Sequence, residues 1–145
     1  MKKQNAVRFL TVLILLNLWL IWGNSLMNGA DSGAVSGGIL AWLGQFVPGL
    51  LTETGHHFLR KAAHFSEFCL LGVLSARRQQ LAGNPVGLTF IGWGMFTACI
   101  DETIQTYVPD RGPSLIDVWI DTAGFATGVL LVVIGCAIAK KRNET

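Results

Sequence analysis

The segment "MFTACIDETIQTYVPDRG", residues 95–112, places two adjacent carboxylates, Asp101 and Glu102, inside a hydrophobic run. Gln105 follows Glu102 at helical spacing, and Arg111 lies just beyond the run. An ionised carboxylate is costly in a low-dielectric environment unless it has a partner, and such residues inside a membrane usually serve a function. These side chains are therefore candidates for acid–base catalysis or for binding a polar ligand.

Two other hydrophobic segments carry polar side chains that could share a site with these residues. On the earlier segment the polar residues recur every three or four positions, as one helix face requires: His57, Arg60, Lys61, His64 and Glu67. On the later segment Asp117 and Asp121 are four positions apart. Histidine and carboxylates transfer protons, whereas arginine and lysine bind phosphate or carboxylate groups. The segments together predict an acid–base site or an anion-binding site.

The composition bounds the class of protein. The chain has 145 residues, of which 51% are hydrophobic and 14% are charged, and its mean hydropathy is +0.48. Because soluble domains carry about 25% charged residues, the sequence predicts one all-α integral membrane domain over residues 1–145, with the lipid bilayer as its surroundings. No phosphate-binding loop and no basic, aromatic-rich surface is present, which excludes nucleic acid as a partner.

Four segments are long enough to cross a bilayer, which predicts a bundle of four transmembrane helices: 6–27, 57–76, 86–108 and 116–139. A Gly- and Ser-rich loop at 28–38 and a short interfacial helix at 39–51 follow the first span. Residues 6–27 could instead be a signal peptide, because basic residues precede the apolar run. Trp19 and Trp22 favour a retained helix, since tryptophan is typical of membrane interfaces.

The basic residues predict the orientation of the bundle. If the four helices alternate in direction, eight of the 11 lysine and arginine residues fall on one side and three on the other. Lysine and arginine are enriched in cytoplasmic loops, so both termini of a multi-pass protein in the bacterial cell membrane are predicted to be cytoplasmic. The polar halves of the last three helices then meet near the outer face and form a polar cleft.

The predicted cleft has an excess of acids. Its permanent cations are Arg60, Lys61 and Arg111, and its six acids are Glu67, Asp101, Glu102, Asp110, Asp117 and Asp121. Six acids minus three cations leave three carboxylates that need a protonated histidine, a bound proton, a metal ion or a cationic ligand. Gly124 and Gly128 form a G-x-x-x-G pattern that predicts close helix packing below the cleft.

The segments "RKAAHFSEFCLLGVL" and "DETIQTYVPDRGPSLIDVWIDTAGFATG" resemble the VanZ-like family of small bacterial membrane proteins over residues 60–128. The positions that match the family pattern are Lys61, His64, Phe65, Glu67, Asp101, Glu102, Gln105, Arg111, Asp117, Gly124 and Gly128. Asp121 departs from it, since the family more often has asparagine there. The founding member is associated with low-level resistance to teicoplanin, so the resemblance implies a role at the outer cell envelope and no particular reaction.

Three interpretations of the cleft stay open. In the first, its polar contacts only fix the register of the helices. In the second, the protein is a non-enzymatic binder or permeation element whose cleft binds an amphipathic ligand, such as a glycopeptide antibiotic or a lipid-linked cell-wall precursor, or alters antibiotic access. Its ligand-binding candidates are Arg60, Lys61, Gln105, Arg111, Asp117 and Asp121. In the third, a membrane-embedded enzyme acts on a lipid or cell-wall precursor, with these catalytic candidates: His64, Glu67, Asp101 and Glu102. Asp101 or Glu102 would be the general base and His64 the acid.

A divalent metal is a variant of the last two interpretations. His64 and Glu67, at positions i and i+3, and acids on two other helices could supply nitrogen and oxygen ligands. No tight histidine or cysteine motif defines a metal site, and the sequence requires no cofactor.

Overall fold

A computed structural model of the chain describes residues 2–27, 42, 45, 52–109 and 111–143. These residues form four helices and no strand: α1 (Lys2–Leu26), α2 (Glu53–Ala82), α3 (Leu88–Gln105) and α4 (Leu115–Asn143). The all-α prediction is confirmed for this part of the chain. The predicted interfacial helix at 39–51 lies outside the described residues, except for Trp42 and Gln45.

Helices α1 and α4 are long and apolar enough to cross a bilayer. Helix α2 has 30 residues, and α3, with 18 residues, is about 27 Å long. Both carry the polar residues of the predicted cleft, which lower their hydropathy. Among the described residues, two helices are therefore of membrane type, and a membrane crossing by α2 and α3 stays a prediction.

Local signals explain where α2 begins and ends. The Thr52 hydroxyl accepts a hydrogen bond from the backbone N–H of Gly55 at 3.2 Å, which caps the first turn. Gly83 ends the helix at a φ of 86°, a left-handed conformation that favours glycine. Helix α2 therefore extends beyond the predicted span 57–76 at both ends.

Helices that follow one another in the chain run in alternating directions. Arg78, near the end of α2, donates a hydrogen bond to the hydroxyl of Thr11, near the start of α1, at 2.8 Å. Asn24, near the end of α1, donates to Glu67 in the first half of α2 at 2.7 Å. Helices α1 and α2 are thus antiparallel. Helix α4 is parallel to α2, since an ion pair joins their first halves and a hydrogen bond between Cys136 and Gln80 joins their second halves.

Glycines let α2 and α4 pack backbone against backbone. A Cβ atom at Gly124 would overlap the carbonyl oxygen of Phe65, and one at Gly128 would overlap that of Cys69. Gly72 has the corresponding position on α2, where a Cβ atom would overlap the backbone of α4. This close approach fixes the rotation of α2 relative to α4, and with it the faces that meet at the polar end.

The apolar side chains divide between a small core and the outside of the bundle. Fully buried apolar residues join all four helices: Ile21, Phe68, Leu71, Ala98 and Phe125. Large exposed apolar residues cover the outside: Phe9, Trp19, Trp93, Trp119 and Leu131. An apolar exterior of this extent suits contact with lipid.

Candidate functional site

Polar residues of α2, α3 and α4 meet around one cleft at the end of the bundle where α2 and α4 begin. We call it the polar cleft, and it is lined by Arg60, Lys61, His64, Glu102, Gln105, Asp117, Ile120 and Asp121. Its free volume of about 10 Å³ holds about one water molecule or ion. Seven of these eight lining residues are polar or charged, and the eight come from α2, α3 and α4.

The mouth of the cleft contains an ion pair between two helices. The Lys61 Nζ lies 2.6 Å from Asp117 Oδ1, and the two side chains are 38% and 27% exposed. Because solvent reaches both groups, the pair is more labile than a buried one. The mouth is therefore the part of the cleft where an incoming anion can compete for Lys61.

Glu102 connects α3 to the start of α4. Its Oε2 accepts a hydrogen bond from the backbone N–H of Ser114 at 2.6 Å. The Ser114 hydroxyl in turn accepts from the backbone N–H of Asp117 at 3.3 Å, which caps the first turn of α4. The second carboxylate oxygen of Glu102 is buried without a partner among the described residues. Glu102 therefore holds the loop and still has one free acceptor.

The floor of the cleft brings His64 close to two buried carboxylates. Asp101 and Asp121 are both fully buried, and His64 Nδ1 lies 3.7 Å from Asp101 Oδ2. Gln105 Nε2 donates to the same Asp101 oxygen at 3.2 Å. Among the described residues, Asp101 Oδ1 and both oxygens of Asp121 have no hydrogen-bond partner. Three buried acceptors without donors therefore lie around His64, which is unusual unless something else binds them.

The adjacent acids of α3 face different neighbours. Asp101 faces His64 and Gln105, whereas Glu102 faces Ser114 on the loop. Successive residues of a helix point about 100° apart, so both contacts follow from the same helical geometry. Asp101 belongs to the floor of the cleft and Glu102 to its side.

Helix α1 contributes two polar residues that sequence reasoning missed. Asn24 donates a hydrogen bond to Glu67 at 2.7 Å, and the fully buried Ser25 accepts one from Gln105 at 3.4 Å. Glu67, a predicted catalytic candidate, thus faces α1 and does not line the cleft. The sequence shows Asn24 and Ser25 as a polar pair at the end of an apolar span. It does not show which neighbouring helix their side chains face.

The other predicted residues include two arginines, Arg60 and Arg111. Arg60 lines the cleft, and Arg111, in the loop before α4, is partly buried. Burial and the Arg60 guanidinium lower the pKa of Arg111, while Asp101 and Glu102 raise it. His57 is exposed, and Asp110 lies outside the described residues.

Three side chains in the floor could hold a metal ion. His64, Asp101 and Asp121 each offer one donor atom, and these atoms all lie within 4.8 Å of one another. The donor set differs from the predicted variant, which used Glu67 with His64. Each donor comes from a different helix, so only the packed bundle brings them together.

A helical bundle with two membrane-type helices and an apolar exterior is typical of a small membrane protein. The chain belongs to the VanZ/LLP1 family, whose family model matches residues 9–136. This match confirms the VanZ-like resemblance and extends it from residues 60–128 to most of the chain, including α1. No match was found among curated proteins or among solved structures.

Proposed function

We propose that the protein acts in the bacterial cell membrane by binding the polar headgroup of an amphipathic envelope molecule in the polar cleft. The observation that carries this proposal is the solvent-accessible ion pair of Lys61 and Asp117 at the mouth, beside the cation of Arg60. A phosphate or carboxylate group can replace Asp117 as the partner of Lys61. Lipid-linked cell-wall precursors carry such groups.

The size of the cleft limits what enters it. A free volume of about 10 Å³ takes about one small group, so the headgroup binds at the mouth and the rest of the ligand stays in lipid or solvent. Separation of Lys61 from Asp117 would widen the entrance. A whole glycopeptide antibiotic would remain outside.

The orientation of the bundle supports a cleft that faces the outside of the cell. Arg77 and Arg78 lie at the end of α2 opposite the cleft, next to Cys136 of α4 and Thr11 of α1. Basic residues are enriched on the cytoplasmic side of membrane proteins, so the cleft faces outward and both termini are cytoplasmic in a four-span topology. Glycopeptides act on cell-wall precursors outside the membrane. A protein that binds the precursor headgroup there would reduce antibiotic access and give low-level resistance to teicoplanin.

An enzyme acting on the same precursor is the second candidate. The close approach of His64 to Asp101 and the free acceptor of Glu102 favour it, since these groups can move a proton at a bound substrate. Neither Ser66 nor Ser114 is placed as an activated nucleophile. The Ser66 hydroxyl donates to the Ala62 carbonyl at 2.7 Å, and the Ser114 hydroxyl caps α4. Such an enzyme would instead activate water.

Binding and turnover can be separated with the purified protein in lipid nanodiscs. The proposal predicts saturable binding of a lipid-linked cell-wall precursor, with the precursor recovered at unchanged mass. The variant Lys61→Met should weaken binding by about tenfold, the loss of one charge-assisted contact, while Arg77→Met at the opposite end should not. A changed precursor mass that His64→Ala abolishes would favour the enzyme. If the protein neither binds the precursor at micromolar concentration nor changes its mass, the binding function and the enzyme are both rejected.

A further inference from the structure

The floor of the polar cleft contains more buried acceptors than donors. Asp121 is fully buried, and neither of its carboxylate oxygens has a hydrogen-bond partner among the described residues. Asp101 is also fully buried and has one oxygen in the same state. An ionised carboxylate that is buried alone costs several kcal/mol, so two of them side by side need a bound proton, a hydrogen-bond donor or a cation.

Among the described residues, no lysine or arginine forms an ion pair with Asp101 or Asp121, and the Arg111 Nε has no hydrogen-bond partner either. Lys61 is held by Asp117 at the mouth. Among the described side chains at and beside the cleft there are five acids and three cations: Glu67, Asp101, Glu102, Asp117 and Asp121 against Arg60, Lys61 and Arg111. Five minus three leaves two negative charges when His64 is neutral. One divalent cation neutralises that charge.

The geometry of the donors suits a small metal ion. The donor atoms of His64, Asp101 and Asp121 lie within 4.8 Å of one another. Donors bound to Zn²⁺ at about 2.0–2.1 Å in a tetrahedron are about 3.3 Å apart, which side-chain rotation can reach from this arrangement. His64 and Asp121 also line the cleft, so an ion held by them could be reached from the cleft.

We propose that His64, Asp101 and Asp121 bind one divalent transition-metal ion, such as Zn²⁺, in the floor of the polar cleft. One imidazole nitrogen with two carboxylates favours Zn²⁺ or Mn²⁺ over Mg²⁺ and Ca²⁺, which prefer oxygen ligands. Three protein ligands leave a position for water or for the anionic headgroup of the ligand. This metal site deepens the proposed function, and it rests on the proposed function in one respect, namely that the cleft opens to the outside.

The test uses the full chain, purified without a histidine tag, depleted of metal with a chelator and titrated with Zn²⁺. The expected result is one Zn²⁺ per chain, with a higher thermal unfolding temperature in the presence of the metal. The variant Asp121→Asn should weaken binding about 100-fold or more, since even residues behind the ligands affect affinity 10- to 100-fold. It should also lose the metal-induced stabilisation.

Glu67→Gln is the matched control, because it removes one carboxylate charge beside the cluster while its amide oxygen can still accept from Asn24. It should bind Zn²⁺ within a few-fold of the wild type. His64→Gln gives a second ligand variant if Asp121→Asn does not fold, and it too should lose the metal. No stoichiometric Zn²⁺ in folded wild type, or equal binding by the ligand variants and Glu67→Gln, would overturn the site.

The outcomes separate this site from the proposed function. If the wild type binds Zn²⁺ but no cell-wall precursor, the proposed function fails and the metal site stands. If it binds the precursor but no Zn²⁺, the metal site fails and the proposed function stands.

Discussion

Lys61 of α2 and Asp117 of α4 form an ion pair of 2.6 Å at the mouth of the polar cleft. A double-mutant cycle with Lys61→Met and Asp117→Asn should therefore show coupling. We expect a coupling energy of about 0.5–2 kcal/mol in the free energy of unfolding. This value is modest for two interacting residues because solvent reaches both groups. Unfolding in mixed detergent micelles measures it. Strict additivity of the two variants would show that the pair does not hold the helices together.

Glu102 should tolerate loss of its charge better than loss of its hydrogen bond. Glu102→Gln keeps an oxygen that can accept from the Ser114 N–H, whereas Glu102→Ala leaves that donor without its partner. We expect Glu102→Ala to lower the free energy of unfolding by about 1–3 kcal/mol and Glu102→Gln to lower it less. The same detergent titration compares the two variants. Equal losses would mean that the contact with Ser114 contributes little.

Close packing of α2 on α4 should make Gly128 intolerant of any side chain. A Cβ atom there would overlap the Cys69 carbonyl oxygen and lie 2.8 Å from the Val73 nitrogen. Gly128→Ala should lower the free energy of unfolding by about 1–3 kcal/mol or more, because the helices must separate. Gly135→Ala, on the same helix with no atom within 4 Å of the new methyl group, is the control and should be neutral or stabilising. Similar effects at both positions would contradict this packing.

Helix α1 should be retained in the mature protein. Ile21 and Ser25 are fully buried against the other helices, and the family match already begins at residue 9. Removal of α1 as a signal peptide would take away Asn24, the hydrogen-bond partner of Glu67, and Ser25, a hydrogen-bond partner of Gln105. Intact mass of the protein extracted from membranes should therefore include α1. A product shortened by this helix would show that the remaining three helices form the functional unit.

The sequence predicts the polar face of α2 because the spacing of Lys61 and His64 fits a helix and because their charges stand out in an apolar segment. It also predicts that Asp101 and Glu102 face different neighbours, since successive helical residues diverge by about 100°. Alternating helix directions then bring the polar halves together, as the contact of His64 with Asp101 shows.

The partners of individual residues depend on helix rotation, which the sequence does not specify. Glu67 shares the helical spacing of His64, yet it faces Asn24 of α1. Helix α1 is apolar on most sides, so no pattern indicates which side turns inward. The position of Asp121 in the floor follows from packing at Gly124, whose close approach to Phe65 is visible only in three dimensions.

Teicoplanin susceptibility of a sensitive Gram-positive host tests most directly whether the polar cleft is a working site. The host should express wild type, Lys61→Met or Gly135→Ala at matched membrane levels. We predict that wild type and Gly135→Ala raise the inhibitory concentration of teicoplanin, and that Lys61→Met raises it less or not at all, since it removes the cation that would bind the precursor headgroup at the mouth. Equal protection by all three proteins, or protection by none, would contradict it.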